Sequence, residues 1–300
     1  HLMLAGCPVP VHCLIDISRP LDRQLAGLPW PCVIKQVNMS ASRGVIRVNN
    51  ESAFVDAIQR IRAIIAESCD EFARTHVLVE AYINGTEVAF EGYLHHGRLQ
   101  TLAVFDKPDP LTGPFFEETI YVTPSTLDAD TLALIKQRVQ QACSAFGLRT
   151  GPVHAELRVN ALDAWILEVA SRTIGGDCAR MLDSGTSKSL EQLTVSLAIG
   201  EAAKPAELTQ SRGVMMIPIR QAGILKRVEG ILAAQKVPYI EKIDLVISEG
   251  HELIPLPEGN QYLGFIFAKA DTPETVTAAL RAAHGKLNFI TAPVFKLAEA

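Results

Sequence analysis

The stretch AWILEVASRTIGGD (164–177) places a glutamate, Glu168, inside an apolar run, followed by Arg172 and a Gly175-Gly176 pair where a strand should end. Just upstream, VHAELRV (153–159) alternates Val153, Ala155, Leu157 and Val159 with His154, Glu156 and Arg158, the period of a strand with one apolar and one polar face. The same rule turns Trp165, Leu167 and Val169 inward and Glu168 to the polar side. Pairing the strands with Val159 opposite Trp165, and NALDA as the turn, puts Glu156 directly across from Glu168. Cross-strand partners stand about 5 Å apart at Cβ, and like charges there destabilise a sheet unless something compensates. A shared Mg²⁺ is the natural compensation, because a hard cation takes carboxylate oxygens and leaves positions for water and phosphate. The other outcomes are protonation of one glutamate, or both side chains fanning into solvent. Arg172 and the exposed amides of Gly175-Gly176 supply what a transferring phosphoryl group needs nearby.

Two further stretches point to the same chemistry. In VIKQVNMSASRGV, Lys35 projects from a strand, and the small loop Ser40, Ala41, Ser42, Arg43, Gly44 lets backbone amides approach an anion. A plain hairpin turn is the competing reading, and GxxxxGK[ST] is nowhere present. In VEAYINGTEV an acid, Glu80, ends an apolar strand, and Glu87 follows Asn84-Gly85.

These residues need elements to hold them. Strands are expected at 30–37, 42–48 and 76–83, with a helix over 51–67 that carries Phe54, Ile58, Ile61 and Ile65 on one face and Asn50 as N-cap. Strands at 86–94 and 98–105 flank His95-His96-Gly97, which reads as a hairpin turn, so these histidines are turn residues rather than ligands. A helix near 129–146 ends at Gly147. Strands follow at 151–159 and 164–170, then a helix at 188–199 and a linker at 200–213. The last unit is expected to hold a strand at 214–219, a helix near 222–234, strands near 240–248 and 261–269, and a helix opened by Thr272-Pro273-Glu274.

Composition narrows the function classes. With 48% hydrophobic and 20% charged residues in 300, the chain reads as globular, and no segment approaches the roughly 18 apolar residues of a membrane span. A net charge of -5, with scattered Lys and Arg, leaves no footprint for nucleic acid. The six cysteines are far apart, with no CxxC, so reduced thiols and a cytoplasmic location are expected rather than zinc or disulfides. Small molecules are therefore the expected partners, with a homodimer as the assembly compatible with them.

The order of these features resembles the ATP-grasp superfamily of ATP-dependent carboxylate–amine ligases over essentially the whole chain. PCVIKQVNMSASRGVIRV is similar to its phosphate-binding lid, VLVEAYINGTEV to its adenine hinge, and HAELRV with ILEVASRTIGG to its metal-binding strand pair. VFDKP, GPFFEETIYVTPS and the tail beginning GILKRVEGI resemble the L-amino-acid ligase (dipeptide synthetase) branch. The resemblance implies an α+β ATP-grasp fold, with a lid α+β subdomain (28–85), a larger antiparallel-sheet α/β core (86–205) and a C-terminal α+β subdomain (211–300). Residues 1–27 are then a remnant linking to an N-terminal domain that relatives carry.

It also implies roles. Lys35 would hold the α/β-phosphates of ATP, and Ser42, Arg43 and Gly44 would close over the β/γ-phosphates. Glu80 and the main chain of Ala81 and Ile83 would read adenine, and Glu87 the ribose. Glu156 and Glu168 would hold Mg²⁺ (or Mn²⁺), with His154 orienting Glu156. Arg172 would steady the γ-phosphate, while Glu118 and Tyr121 would hold the amino substrate. One departure is Ala170, where many members have an asparagine that adds a metal oxygen. The activity implied is amide or peptide bond formation through an acyl phosphate, releasing ADP. A carboxylase or phosphoribosyl-type ligase, or a non-catalytic nucleotide-binding protein, are the alternatives, though the first would show a further basic pocket that the sequence lacks.

Overall fold

A computed structural model describes residues 1–66, 68–182, 189–201 and 210–294. The last residue of the helix expected at 51–67, the first of that at 188–199, and most of the linker at 200–213 lie outside them. Strands β1 (His12–Asp16), β2 (Cys32–Gln36) and β3 (Ile46–Val48) precede helices α1 (Glu51–Ile65) and α2 (Glu71–Thr75) and strand β4 (His76–Ala81). They form a four-stranded antiparallel sheet in the order β1-β4-β2-β3. Helix α1 forms as expected: Asn50 accepts the Ala53 N–H, and Phe54, Ile58, Ile61 and Ile65 are buried against Ile34, Ile46 and Val79. Each such fully buried side chain contributes about 1.5–3 kcal/mol.

Next come β5 (Thr86–His95), β6 (Arg98–Asp106), β7 (Ile120–Thr123), α3 (Ala129–Ala145), β8 (Gly151–Val159), β9 (Ala164–Ala170) and α4 (Leu190–Ala198). The β5–β6 hairpin turns at His96 and Gly97, both at positive φ (50° and 78°), the geometry a two-residue turn requires. Helix α3 ends at Gly147, also left-handed at φ 70°. Its Ile135, Val139 and Cys143 pack on Val88, Phe90, Val153, Ala155 and Leu157, which closes one face of the sheet.

The remainder comprises β10 (Ser211–Ile217), β11 (Gly223–Glu229), α5 (Ile231–Gln235), β12 (Ile240–Leu245), β13 (Glu252–Leu253), β14 (Gly264–Ala270), α6 (Pro273–His284) and β15 (Asn288–Ala292). Helix α6 is capped by Thr272 with Pro273 in its first turn, as the sequence indicates. The large antiparallel sheet has eight strands in the order β12-β14-β10-β7-β6-β5-β8-β9, and β13-β11-β15 form a third sheet.

Four expectations need correction. Residues 1–27 are not merely a linking remnant: β1 is an edge strand of the small sheet, and Cys7 packs in the α3 core while the Ile166 N–H donates to Pro8 O at 2.9 Å. The large sheet runs across the boundary placed before 211, since β10 pairs with β7. Residues 223–229, expected as helix, are strand β11, held by ladders to β13 and β15. Finally, β9 does not alternate uniformly. The hairpin opens with Val159 opposite Ala164, and a bulge at Leu167 then restores Glu156 opposite Glu168.

Candidate active site

A cleft of about 530 Å³ is bounded by residues of the two larger sheets. From the small sheet come Lys35 on β2, the Ser40–Ala41–Ser42 turn, Glu80 and Ala81 on β4, and Ile83. From the large sheet come Glu87, Glu118, Tyr121, His154, Glu156, Arg158, Glu168, and the turn Arg172 to Gly176. The bulge in β9 decides what faces it. Ile166 and Val169 both turn to the α3 core, whereas Leu167 and Glu168 both reach the cleft.

The sequence-derived candidates thus converge, with two exceptions. Arg43 and Gly44 are not in the wall. The Arg43 Nε donates to Glu258 O and the Gly44 N–H to Pro257 O, each at 2.9 Å. They seat the loop on the chain near 257–258, where Arg60 also grips the Glu258 carboxylate through two hydrogen bonds of 2.8 and 2.9 Å. Of the groups expected to read a ring edge, the Ala81 N–H is taken by Val11 O at 2.7 Å and the Ile83 carbonyl by Arg158 at 2.8 Å. Lys35 Nζ lies 2.6 Å from Glu80 Oε2.

At the centre stands a residue that the sequence reading gave no role. Lys107, on the segment leaving β6, has a side chain only 3% exposed, and its Nζ lies 2.8 Å from Glu87, 2.6 Å from Glu118 and 2.9 Å from Glu156. Burial opposes an ammonium there, but the surrounding carboxylates outweigh it and hold the Lys107 pKa well above its usual value. The Tyr121 hydroxyl donates to Glu118 at 2.6 Å. Burial pushes the Glu118 carboxyl up to about 7, only partly offset by Lys107, and it shares a hydrogen bond with Glu156. Glu156 is also buried, but Lys107 and His154 prevail and hold it below the usual carboxylate range. Within the pair Glu118 is thus the weaker acid and Glu156 the stronger.

Glu87 is similarly fixed. Lys107 holds one oxygen and Arg158 Nε the other at 2.9 Å, while Arg158 also donates to the carbonyls of Ile83 and Leu111. The Arg158 guanidinium lies 4.9 Å from the Tyr82 ring, and Arg47 covers that ring at 3.9 Å. Arg47 straps the segment between Lys107 and Glu118 to the small sheet, because its N–H donates to Pro114 O at 2.8 Å and its Nη1 to Thr112 O at 2.6 Å. In the sequence, the only hint of Lys107 is the lysine of VFDKP at a strand end, since its partners lie 11 to 49 residues away.

The donor set can be tested against a metal. The oxygens of Glu87, Glu118 and Glu156 lie within 4.8 Å of one another, yet the Lys107 ammonium fills their centre. Glu156 and Glu168, cross-strand partners on the cleft wall, are the pair that remains for a hard cation. Glu168 is half exposed, and its nearest cation, Arg172, is 3.6 Å away. Gly175 has nothing within 4 Å of where a Cβ would stand, so its backbone is open to an anion, whereas Gly176 is left-handed at φ 63° and closely covered by Met216.

Residues 28–181 match the ATP-grasp domain, which is half of the chain, and the chain belongs to that family. Residues 215–292 match the L-amino acid ligase C-terminal domain 2. Among curated proteins, the chain is 23% identical over 232 residues to the ATP-grasp enzyme fsqD of Aspergillus fumigatus, covering 65% of this chain and 39% of that protein. Among solved structures, the L-amino acid ligase from Bacillus licheniformis superposes with a TM-score of 0.83 at 26% identity, covering 97% of this chain and 71% of that one. A biotin carboxylase–beta-gamma-ATP complex from Campylobacter jejuni shares the fold alone, with a TM-score of 0.66 at 15% identity over 97% of this chain and 66% of that one. All six cysteines are free, and no helix among the described residues is long and apolar enough to cross a membrane.

Proposed function

We propose that this chain carries the ATP-binding and metal-binding machinery of a carboxylate–amine ligase that joins amino acids or related small molecules. The observation that carries the reading is the juxtaposition of Glu156 and Glu168 on the wall of the cleft that Lys35 and Ser40 to Ser42 also line. Glu156 and Glu168 would hold magnesium, which when bound supplies charge neutralisation on the phosphates. In this reading a substrate carboxylate attacks the γ-phosphate of ATP, the phosphorus–oxygen bond to ADP breaks, and an acyl phosphate forms. An amine then attacks the acyl carbon and expels phosphate, giving an amide.

The chain's own share is positioning and charge. Lys35 and the Ser40–Ser42 turn sit where they can meet the phosphates. The Arg172 guanidinium donates to Thr173 O and lies 3.6 Å from Glu168, but at 52% exposed it stays accessible to an anion. Glu118 and Tyr121 line the same cleft, so their oxygens are placed to accept hydrogen bonds from the amino substrate. The alternative of a phosphoribosyl-type ligase finds less support. Among the described residues the Lys and Arg side chains lining the cleft are Lys35, Arg158 and Arg172, and each already has a carboxylate within 4 Å, Glu80, Glu87 and Glu168 respectively, which leaves no additional basic pocket for a ribose phosphate.

The test is ADP release over a panel of amino-acid pairs, with Glu168→Gln as control. Amino-acid-dependent release that Glu168→Gln abolishes supports the ligase. Tight ATP binding without turnover on any pair would replace it with a nucleotide-binding scaffold.

A further inference from the structure

Glu91 is an acid in the middle of β5 that none of the roles above requires. It is fully buried, within the run VAFEGYL, where Val88, Phe90 and Leu94 pack in the core on one face of the sheet and Ala89 and Tyr93 in that on the other. A buried carboxyl with incomplete hydrogen bonding destabilises a fold, and a leucine of similar size would avoid that. Its surroundings suggest what it does instead. It faces His154 across the β5–β8 ladder, with its Oε2 3.3 Å from His154 Nδ1. The same oxygen accepts the Ile174 N–H at 3.1 Å, immediately before Gly175-Gly176. On its other side His154 presents Nε2 4.0 Å from Glu156 Oε1.

One buried side chain thus touches both halves of the site: the strand that carries Glu156, through His154, and the root of the turn that offers Arg172 and the Gly175 backbone. Neither contact along the His154 string is yet a well-aligned hydrogen bond, since Glu91 Oε1 and His154 Nδ1 have no partner and 4.0 Å is too long for one. The string has room to tighten when a cation draws on Glu156.

We infer that Glu91 is a positioning residue for the metal–nucleotide site, fixing the Glu156 carboxylate and the 172–176 turn relative to each other through His154 and Ile174. This rests on the nucleotide-binding reading given above but not on amide formation. Groups that orient metal ligands from behind are worth about 10–100-fold in metal affinity.

The experiment is calorimetric titration of ATP at a series of Mg²⁺ concentrations, and in EDTA, for the wild type, Glu91→Leu, Glu91→Gln, His154→Ala and the Glu91→Leu/His154→Ala double variant. Glu91→Leu should raise the Mg²⁺ concentration needed for half-maximal ATP binding at least about tenfold, while metal-free ATP affinity changes by less than about threefold. Glu91→Gln should stay within about threefold of wild type, because its amide oxygen can stand in for the Oε2 that faces both the Ile174 N–H and His154 Nδ1. The double variant should be no weaker than the worse single one, as expected for groups acting in series. If Glu91→Leu does not fold, His154→Ala and Glu91→Gln carry the same comparison. A variant that melts earlier but binds Mg²⁺ and ATP like wild type, or effects of the two substitutions that add, would overturn the inference. Loss of ligase turnover with normal Mg²⁺-ATP binding in the wild type would overturn only the proposed reaction, and wild type that does not bind Mg²⁺-ATP would overturn both.

Discussion

Replacing Lys107 by methionine keeps most of the stem and removes the charge that three carboxylates share at 2.6 to 2.9 Å. What remains is Glu87, Glu118 and Glu156 with oxygens within 4.8 Å of one another. At that separation, and at an effective dielectric of about 20, each ionised pair repels by roughly 3–4 kcal/mol, which protonation of one member relieves. Removing one partner from a buried ion pair costs about 3–5 kcal/mol in measured cases. For a chain of this size that is a fall in Tm on the order of 10 °C. The sign with pH follows. In the variant, mutual repulsion raises the carboxyl pKa values in the folded state, so stability is present at low pH and lost as pH rises through them. Thermal unfolding followed by circular dichroism at pH 6 and pH 8 should show the larger loss at pH 8. Added Mg²⁺ or Ca²⁺ should restore part of it, because the emptied centre can then take a cation. A Lys107→Met protein that melts within about 2 °C of wild type at pH 8, with no response to divalent ions, would refute the view that this ammonium neutralises the cluster.

Two other outcomes follow from the same geometry. The Glu118 carboxyl sits at about 7 against an ordinary 4.5, so its proton stabilises the fold below 4.5 and that contribution is lost as pH rises through 7, whereas the lowered Glu156 loses its contribution only as pH falls below 4.5. Glu118→Gln should therefore flatten the dependence of Tm on pH between about 5 and 8, and an unchanged slope counts against this assignment. Gly176→Ala forces a left-handed alanine and a Cβ 2.5 Å from Met216 Sδ, so it should cost at least about 1–2 kcal/mol in denaturant titration, while Gly175→Ala, which meets nothing within 4 Å, should change stability little.

Local rules in the sequence went far. The caps at Asn50 and Thr272, the His96-Gly97 turn and the Gly147 stop all depend on neighbours within a few residues. The Glu156–Glu168 pairing also emerged, though from a register one residue out at the turn. Uniform alternation cannot anticipate a bulge, and this one lets Ile166 and Val169 share the core while Leu167 and Glu168 share the cleft. The misreading of 223–229 has a similar origin: Ile224, Val228 and Ile231 fall at helical spacing. The segment is nevertheless a strand because β13 and β15, the latter some sixty residues on, supply its ladders. Lys107 and Glu91 escaped notice because nothing local marks them. Their meaning comes from carboxylates, an imidazole and a main-chain amide that only the fold brings near.

Strand β10 runs between β7 and β14, so the stretch beyond residue 210 contributes an interior strand to the sheet that holds Tyr121. Recombining this protein with its relatives at the linear seam near 205 would therefore cut through a hydrogen-bonded ladder rather than between modules. A graft meant to alter what the cleft accepts should carry β7, β10 and β14 together.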